Sequence, residues 1–153
     1  MVNQVKKRKS GIPTGNAGEY FVMGELLRRG FDAQLADRNT KGYDLLVGST
    51  EKAILKKVQV KTVRTQPWYV KQESFRDENL LKQFTVYVLL GSASGKQSVR
   101  FFIAKNRNLK EHIHCPEGWK KNGFMPLKAV EKYENCWDNL GMRKTRKSSL
   151  GKE

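Results

Sequence analysis

Two short strand-forming runs, held apart by residues that favour a turn, constrain this chain more than any other stretch of it. The first reads Gly42-Tyr43-Asp44-Leu45-Leu46-Val47 and the second Val58-Gln59-Val60-Lys61-Thr62, with Gly48-Ser49-Thr50-Glu51-Lys52 between them. Apolar runs around a Gly- and Ser-containing stretch predict a hairpin. A turn centred between Glu51 and Lys52 sets Asp44 directly opposite Gln59, and opposed residues of an antiparallel pair share a face. Alternation carries Lys61 to that face and turns Val58 and Val60 the other way, into a core. A slip of one residue would break the arrangement, so the register is the quantity to check.

The flanking segments give the hairpin its context. A helix is predicted from an N-cap at Asn16 to the residue before Gly30, with Arg28 and Arg29 in its last turn, where cations suit the dipole. Tyr20, Val22, Met23, Leu26 and Leu27 give it an apolar side, and Glu19 lies in its first turn on the face of Val22, Met23 and Leu26. Residues 31–35 read as a strand, followed by a polar, basic loop over 37–42. Beyond the hairpin come Arg64, Trp68, Tyr69, Lys71 and Arg76 without a clear period. A helix fits 77–83, and 84–90 and 99–103 are dense in the β-branched and aromatic residues of strands. Residues 106–123 show no readable pattern. A final helix over 127–139 has Val130, Tyr133, Trp137 and Leu140 at core spacing, followed by Gly141. This order predicts an α/β fold, a mixed central sheet flanked by helices.

A chain of 153 residues suits one domain, here 14–141 between a basic N-terminal arm, 1–13, and a basic C-terminal tail, 142–153. No run is long and apolar enough to span a membrane, and the basic start lacks the apolar stretch of a signal peptide. Cys115 and Cys136 make no disulfide framework, which points to a reducing compartment. The formal net charge is +15, with 30 Lys and Arg against 15 Asp and Glu. Lys6, Lys7, Arg8 and Lys9 at one end and Arg143, Lys144, Arg146, Lys147 and Lys152 at the other supply much of it, yet the body stays basic without them. Such a surface attracts polyanions, and charge alone does not separate DNA from RNA.

Asp44, Gln59 and Lys61 would bring a carboxylate, an amide oxygen and an ammonium to one face, with Glu19 arriving from the helix. Hydrolysis of a phosphodiester needs an oxygen-ligated Mg²⁺, an aligned water and positive charge beside the phosphorus oxygens. At these residues the chain resembles the PD-(D/E)XK, or restriction-endonuclease-like, superfamily, whose members carry an acid opening one strand, an acid-X-Lys on the next, and often an acid from the preceding helix. Gln59 stands where most members carry Asp or Glu. Similar Gln-X-Lys variants occur in the Mrr-like restriction branch and among cyanobacterial group I intron homing endonucleases, which share the Glu, Asp, Gln, Lys quartet. The resemblance spans roughly the first two-thirds of the chain.

It implies a restriction-endonuclease-like αβββαβ core and a Mg²⁺-dependent endodeoxyribonuclease of homing, restriction or junction-resolving type, with Mn²⁺ able to substitute. It further implies Asp44, Gln59, the Val60 carbonyl and Glu19 as ligands, and Lys61 acting on the attacking water or the pentavalent phosphorus. Cutting two strands calls for a homodimer or higher symmetric oligomer. Arg38, Lys41, Arg64 and Lys71 are expected DNA contacts, and the location expected is cytoplasmic, at the nucleoid. Structural alternatives stand beside each role. Asp44 after Gly42 would end a turn, Glu19 would close a capping box with Asn16, and Gln59 and Lys61 would be ordinary strand residues. The whole would then be a catalytically inactive DNA- or RNA-binding module. His112, His114, Cys115 and Cys136 lack the paired spacing of a zinc site. Trp68, Tyr69 and Trp119 lie near lysines and would either stack on bases or pack in the core and its rim.

Overall fold

The chain enters its fold through helix α1, Ile12–Arg28, in a computed structural model that describes residues 12–37, 39, 42–49 and 52–141. Strands β1 (Phe31–Leu35), β2 (Leu45–Ser49), β3 (Lys52–Val63) and β4 (Trp68–Lys71) follow, then a 3-10 turn at Gln72–Phe75 and helix α2 (Glu78–Leu81). Next come β5 (Phe84–Leu89), β6 (Arg100–Lys105), α3 (Asn106–Leu109), β7 (Asn122–Met125) and α4 (Leu127–Val130), with 3-10 turns at Glu131–Tyr133 and Trp137–Leu140. Five strands form one sheet in the order β1-β2-β3-β5-β6, and β4 and β7 form a small antiparallel pair. Of the neighbouring pairs described in the large sheet, β3–β5 is parallel and the others are antiparallel. The fold is the mixed α/β class expected, a five-stranded mixed sheet flanked by helices, with α1 before β1–β3 and α2 before β5.

Both faces of the large sheet are buried, which is why β5 reads as a near-continuous apolar run. Leu45, Val47, Val58, Val60, Val86, Val88 and Ile103 pack with Val22 and Leu26 of α1 and with Trp137 and Leu140. On the other face Tyr87, Phe102 and Ala104 meet Trp68, Val70, Phe75 and Met125. Trp68 is fully buried, and its indole N–H donates to the Val88 carbonyl at 3.0 Å. Each fully buried Val, Leu or Phe contributes about 1.5–3 kcal/mol, so this two-sided core fixes β3 firmly from both faces.

Several elements depart from expectation. Helix α1 begins at Ile12, not Asn16, because Pro13 is tolerated in a first turn where its missing N–H has no partner to lose. Residues 12 and 13 therefore belong to the helix, while 1–11 and the tail 142–153 lie outside the described residues. Tyr20 and Leu27 were expected on its core side, but both are exposed, as is Phe21. The final helix breaks after Val130. There Arg100 donates two bonds to the Glu134 carboxylate, at 2.9 and 3.0 Å, and Asn135 adopts a left-handed φ of 56° to give its N–H to the Phe101 carbonyl. Val130, Trp137 and Leu140 stay buried as predicted, and Tyr133 is half-buried. Neither β4 nor β7 was foreseen, since four residues each give too short a period to read.

Candidate active site

The hairpin takes the predicted register. Leu45 pairs with Val58, Leu46 with Lys57, Val47 with Lys56 and Gly48 with Leu55. Asp44, just outside β2, lies one step beyond the first of these pairs, where the same register extended would meet Gln59. A register shift between Gly48 and Ser49 lets Ser49 pair with Lys52, so the turn lies slightly earlier than expected without disturbing the site end.

Three hydrogen bonds stitch Asp44 to its neighbours. Its backbone N–H donates to the Val58 carbonyl at 2.9 Å, its carbonyl accepts from Ala36 N–H at 2.8 Å, and its Oδ2 accepts from Val60 N–H at 2.8 Å. The last bond exists because β2 starts at Leu45 while β3 runs on to Val63, leaving the Val60 N–H without a strand partner on that side. A bond from a backbone N–H to a carboxylate contributes about 1.5–3 kcal/mol. The N–H and C=O of one strand residue project to the same side, so the Val60 carbonyl faces the margin where the carboxylate sits.

Gln59 and Lys61 share the face of their β5 neighbours Thr85 and Tyr87, opposite to that of Val58 and Val60. Both are half-buried. Burial pushes the Asp44 carboxyl above its usual range, against the Val60 hydrogen bond and the Lys61 charge, which lower it. Burial likewise pushes the Lys61 ammonium below its usual range, Asp44 raises it, and Lys71 lowers it further. Asp44 and Lys61 thus offset each other's burial, with Lys71 as a second positive charge nearby.

Glu19 reaches the margin from α1. Gly18, Val22 and Leu26 form a buried row, four residues apart, that seats the helix on the sheet. Gly18 makes the seat close: a Cβ there would stand 2.8 Å from Thr62 Cβ and would overlap its Oγ1. Glu19 comes next along the helix, half-buried, and lines a cavity of 250 Å³ with Asn16, Tyr20, Asp37, Tyr43 and Asp44. Since α1 starts at Ile12, Asn16 is no N-cap and the capping-box role for Glu19 falls away. The structure thus brings Glu19 to Asp44, and Lys61 into electrostatic reach of Asp44, while Gln59 and Lys61 do not line that cavity. Gly18 and Asp37 escaped the sequence. Gly18 has no signal without a partner strand, and Asp37 sits in a loop read only for its cations.

An oxygen-seeking cation fits this donor set. Asp44, with Oδ2 taken by Val60, keeps Oδ1, and Glu19 and the Val60 carbonyl lie at the same margin. Mg²⁺ is held by one or two carboxylates plus waters and phosphate oxygens. Among the described residues no group of three or more His, Cys, Asp or Glu is placed to hold a metal. Instead His114 stacks on Phe124, and the Cys136 thiol lies 3.7 Å from the Lys132 and Glu134 carbonyls. Of the expected DNA contacts, Arg38 and Lys41 lie outside the described residues. Arg64 is exposed and donates to the Gly91 carbonyl at 3.1 Å, and Lys71 is exposed beside Lys61. No described helix is long and apolar enough to cross a membrane.

No family model matches the chain, and no curated protein matches it by sequence. Among solved structures it is similar to a bacterial homing endonuclease, I-Ssp6803I, with a TM-score of 0.54 and 16% identity over 95% of this chain and 99% of that one. It also aligns with Hjc, a Holliday junction resolvase of Archaeoglobus fulgidus, at a TM-score of 0.48 and 17% identity over 77% of this chain and 88% of the other. The likeness to the homing endonuclease is one of fold, over nearly the whole of both chains.

Proposed function

We propose that this protein is a Mg²⁺-dependent endodeoxyribonuclease that hydrolyses DNA phosphodiester bonds, of homing, restriction or junction-resolving type. The observation that carries the proposal is the Asp44 carboxylate fixed on Val60 N–H at the open margin of β3, electrostatically paired with Lys61 and sharing a cavity with Glu19. The fold shared with a homing endonuclease supports it. Asp44 and Glu19 would hold the cation, with the Val60 carbonyl and the amide oxygen of Gln59 as neutral donors. Mn²⁺ would substitute, since the donors are all oxygen. When bound, the cation supplies Lewis-acid stabilisation of charge on the phosphate oxygens and lowers the pKa of its water.

The chain's own groups do the rest. Lys61, its ammonium held below the ordinary range by burial, orients or deprotonates the attacking water and stabilises charge at phosphorus. Lys71 and Arg64, with Arg38 and Lys41, draw the phosphates in. Two strands need two sites, and the exposed Tyr20, Phe21 and Leu27 on α1, of which Tyr20 lines the Asp44 cavity, offer a surface for a second copy. A cytoplasmic, nucleoid-associated location goes with this activity.

A second reading, a DNA- or RNA-binding module without catalysis, is favoured by one feature: the neutral Gln59 beside Lys61. Nicking of supercoiled plasmid with and without Mg²⁺ separates the two. Wild type should nick only with the metal, and Lys61→Ala should lose about a hundred- to ten-thousandfold in rate while keeping most DNA affinity. Asp44→Asn should lose metal-dependent nicking. DNA bound equally with and without Mg²⁺, and never nicked, would leave the module.

A further inference from the structure

Strands β4 and β7 carry an array that neither the core nor the cavity at Asp44 uses. Trp68, Val70 and Met125 point inward, so Tyr69, Lys71, Asn122 and Phe124 share the outer face. Tyr69 pairs with Phe124 across the strands, their rings 4.9 Å apart, and the Trp119 ring lies 5.1 Å from Phe124. Tyr69 is 62% exposed and Trp119 is 43% exposed, whereas the other two tryptophans, Trp68 and Trp137, are buried. Tyr69 and Trp119 are therefore open to a flat ligand, on a base of half-buried Phe124 that His114 also stacks on.

The array is held in place. Buried Gln72 donates its side-chain amide to the Trp119 carbonyl at 3.0 Å and to the Asn122 carbonyl at 2.9 Å, and its backbone N–H to the Lys121 carbonyl at 2.8 Å. A buried glutamine thus clamps the loop bearing Trp119, Lys120 and Lys121 against the end of β4. Cations border the rings. Lys71, Arg76, Lys120 and Lys121 line an adjoining open groove of 750 Å³, together with Glu73 and with Asp77, whose carboxylate is engaged as the N-cap of α2.

We propose that Tyr69, Trp119 and Phe124 form a stacking platform for unpaired bases of a DNA strand whose phosphates follow Lys71, Arg76, Lys120 and Lys121. The inference rests on the DNA reading above and narrows its substrate to DNA with unpaired or opened bases. Aromatic rings interleaved with cations are how proteins hold single strands, since every base offers a π-face and the phosphates need only charge. In an uninterrupted duplex those faces are covered by neighbouring base pairs, leaving the rings nothing to stack on.

The test uses the full chain in EDTA, so that binding is read without cleavage, and titrates a short oligothymidylate and a fully paired duplex of equal length. Tyr69→Ala and Trp119→Ala should each weaken oligothymidylate binding about tenfold and leave duplex affinity unchanged. With Trp68 and Trp137 buried, intrinsic fluorescence should change on oligothymidylate binding through Trp119. Trp119→Phe should lose that signal and keep the affinity. Unchanged oligothymidylate affinity in both alanine variants overturns the platform, as does an equal loss on both ligands. Tighter binding of oligouridylate than of oligothymidylate overturns it too, giving the surface to RNA. A chain that binds oligothymidylate through Trp119 yet never nicks DNA keeps the platform and sinks the nuclease, and nicking with no Trp119 or Tyr69 effect on binding does the reverse.

Discussion

Replacing Gly18 with alanine tests how α1 is seated and, with it, where Glu19 lies. The new methyl would stand 2.8 Å from Thr62 Cβ and 2.9 Å from Thr62 Cγ2, and would overlap Thr62 Oγ1. Non-bonded carbons rest at about 3.5–4.0 Å, so helix and strand must part by roughly 1 Å. Two effects oppose each other. Alanine for glycine inside a helix stabilises by about 0.5–1 kcal/mol, while overpacking costs about 1–3 kcal/mol. Thr62 is β-branched and sits on the central strand, which places the cost near the top of that range. The net loss should be about 2 kcal/mol. Gly15 and Gly24 are internal controls, because nothing lies within 4 Å of a methyl at either. Alanine there should gain about 0.5–1 kcal/mol. Equilibrium urea unfolding reads all three variants. Thr62→Ala removes Oγ1 and Cγ2, so the double variant should recover part of the Gly18→Ala loss. Gly18→Ala as stable as Gly24→Ala would refute the close seating of α1 on β3, and the approach of Glu19 to Asp44 would go with it.

Gln59→Glu should tighten Mg²⁺ or Mn²⁺ binding measured by calorimetry, and unchanged affinity would take residue 59 out of the ligand set. Glu19→Gln should unfold within about 0.5 kcal/mol of wild type yet sharply reduce plasmid nicking, and wild-type nicking would leave Asp44 as the sole anionic ligand. Hydrogen bonds from Arg100 hold the Glu134 carboxyl below the usual carboxylate range. Its contribution is therefore present above the unfolded carboxylate pKa and is lost as pH falls through the folded one. Both side chains are partly exposed, so Glu134→Gln should cost no more than about 1 kcal/mol at neutral pH and weaken the acid-side fall in stability, as thermal melts across pH would show.

The parts of this molecule legible in its sequence were those with long, regular periods or a forced register. The hairpin could be paired because a one-residue slip would turn Val58 and Val60 away from the core beside Leu45 and Val47, and the turn before Lys52 chose among the registers left. Asp44 and Lys61 were findable for the same reason. What stayed hidden depends on distant partners. The Gly18–Thr62 approach joins residues 44 positions apart, and neither is unusual alone. The small sheet pairs Trp68–Lys71 with Asn122–Met125, two four-residue strands whose period shows only once they meet. Residues 127–139 carry helical spacing, yet Arg100 and Phe101 capture Glu134 and Asn135 and break the helix while the apolar positions still reach the core. Spacing alone could not tell one continuous helix from three short turns with the same buried residues.

Gln59 gains a physical rationale from its surroundings. Along β3 the Asp44 carboxylate and the Lys61 ammonium act on each other, and Lys71 adds a second positive charge beside Lys61. A glutamate at position 59 would add an anion on the face of Lys61, where the proposed reaction must receive an anionic phosphate. Like charges a few ångströms apart in a half-buried site repel strongly, because water screens them poorly there. The neutral amide avoids that repulsion and still offers an oxygen lone pair. Its cost would fall on the proposed cation, which would lose one anionic ligand and lean on Asp44 and on Glu19, arriving from the other side of the sheet margin. The close seat at Gly18 would then be what lets α1 supply that second carboxylate. On this view the glutamine and the helix acid are one arrangement: the strand leaves room for phosphate charge, and the helix returns the charge that holds the metal.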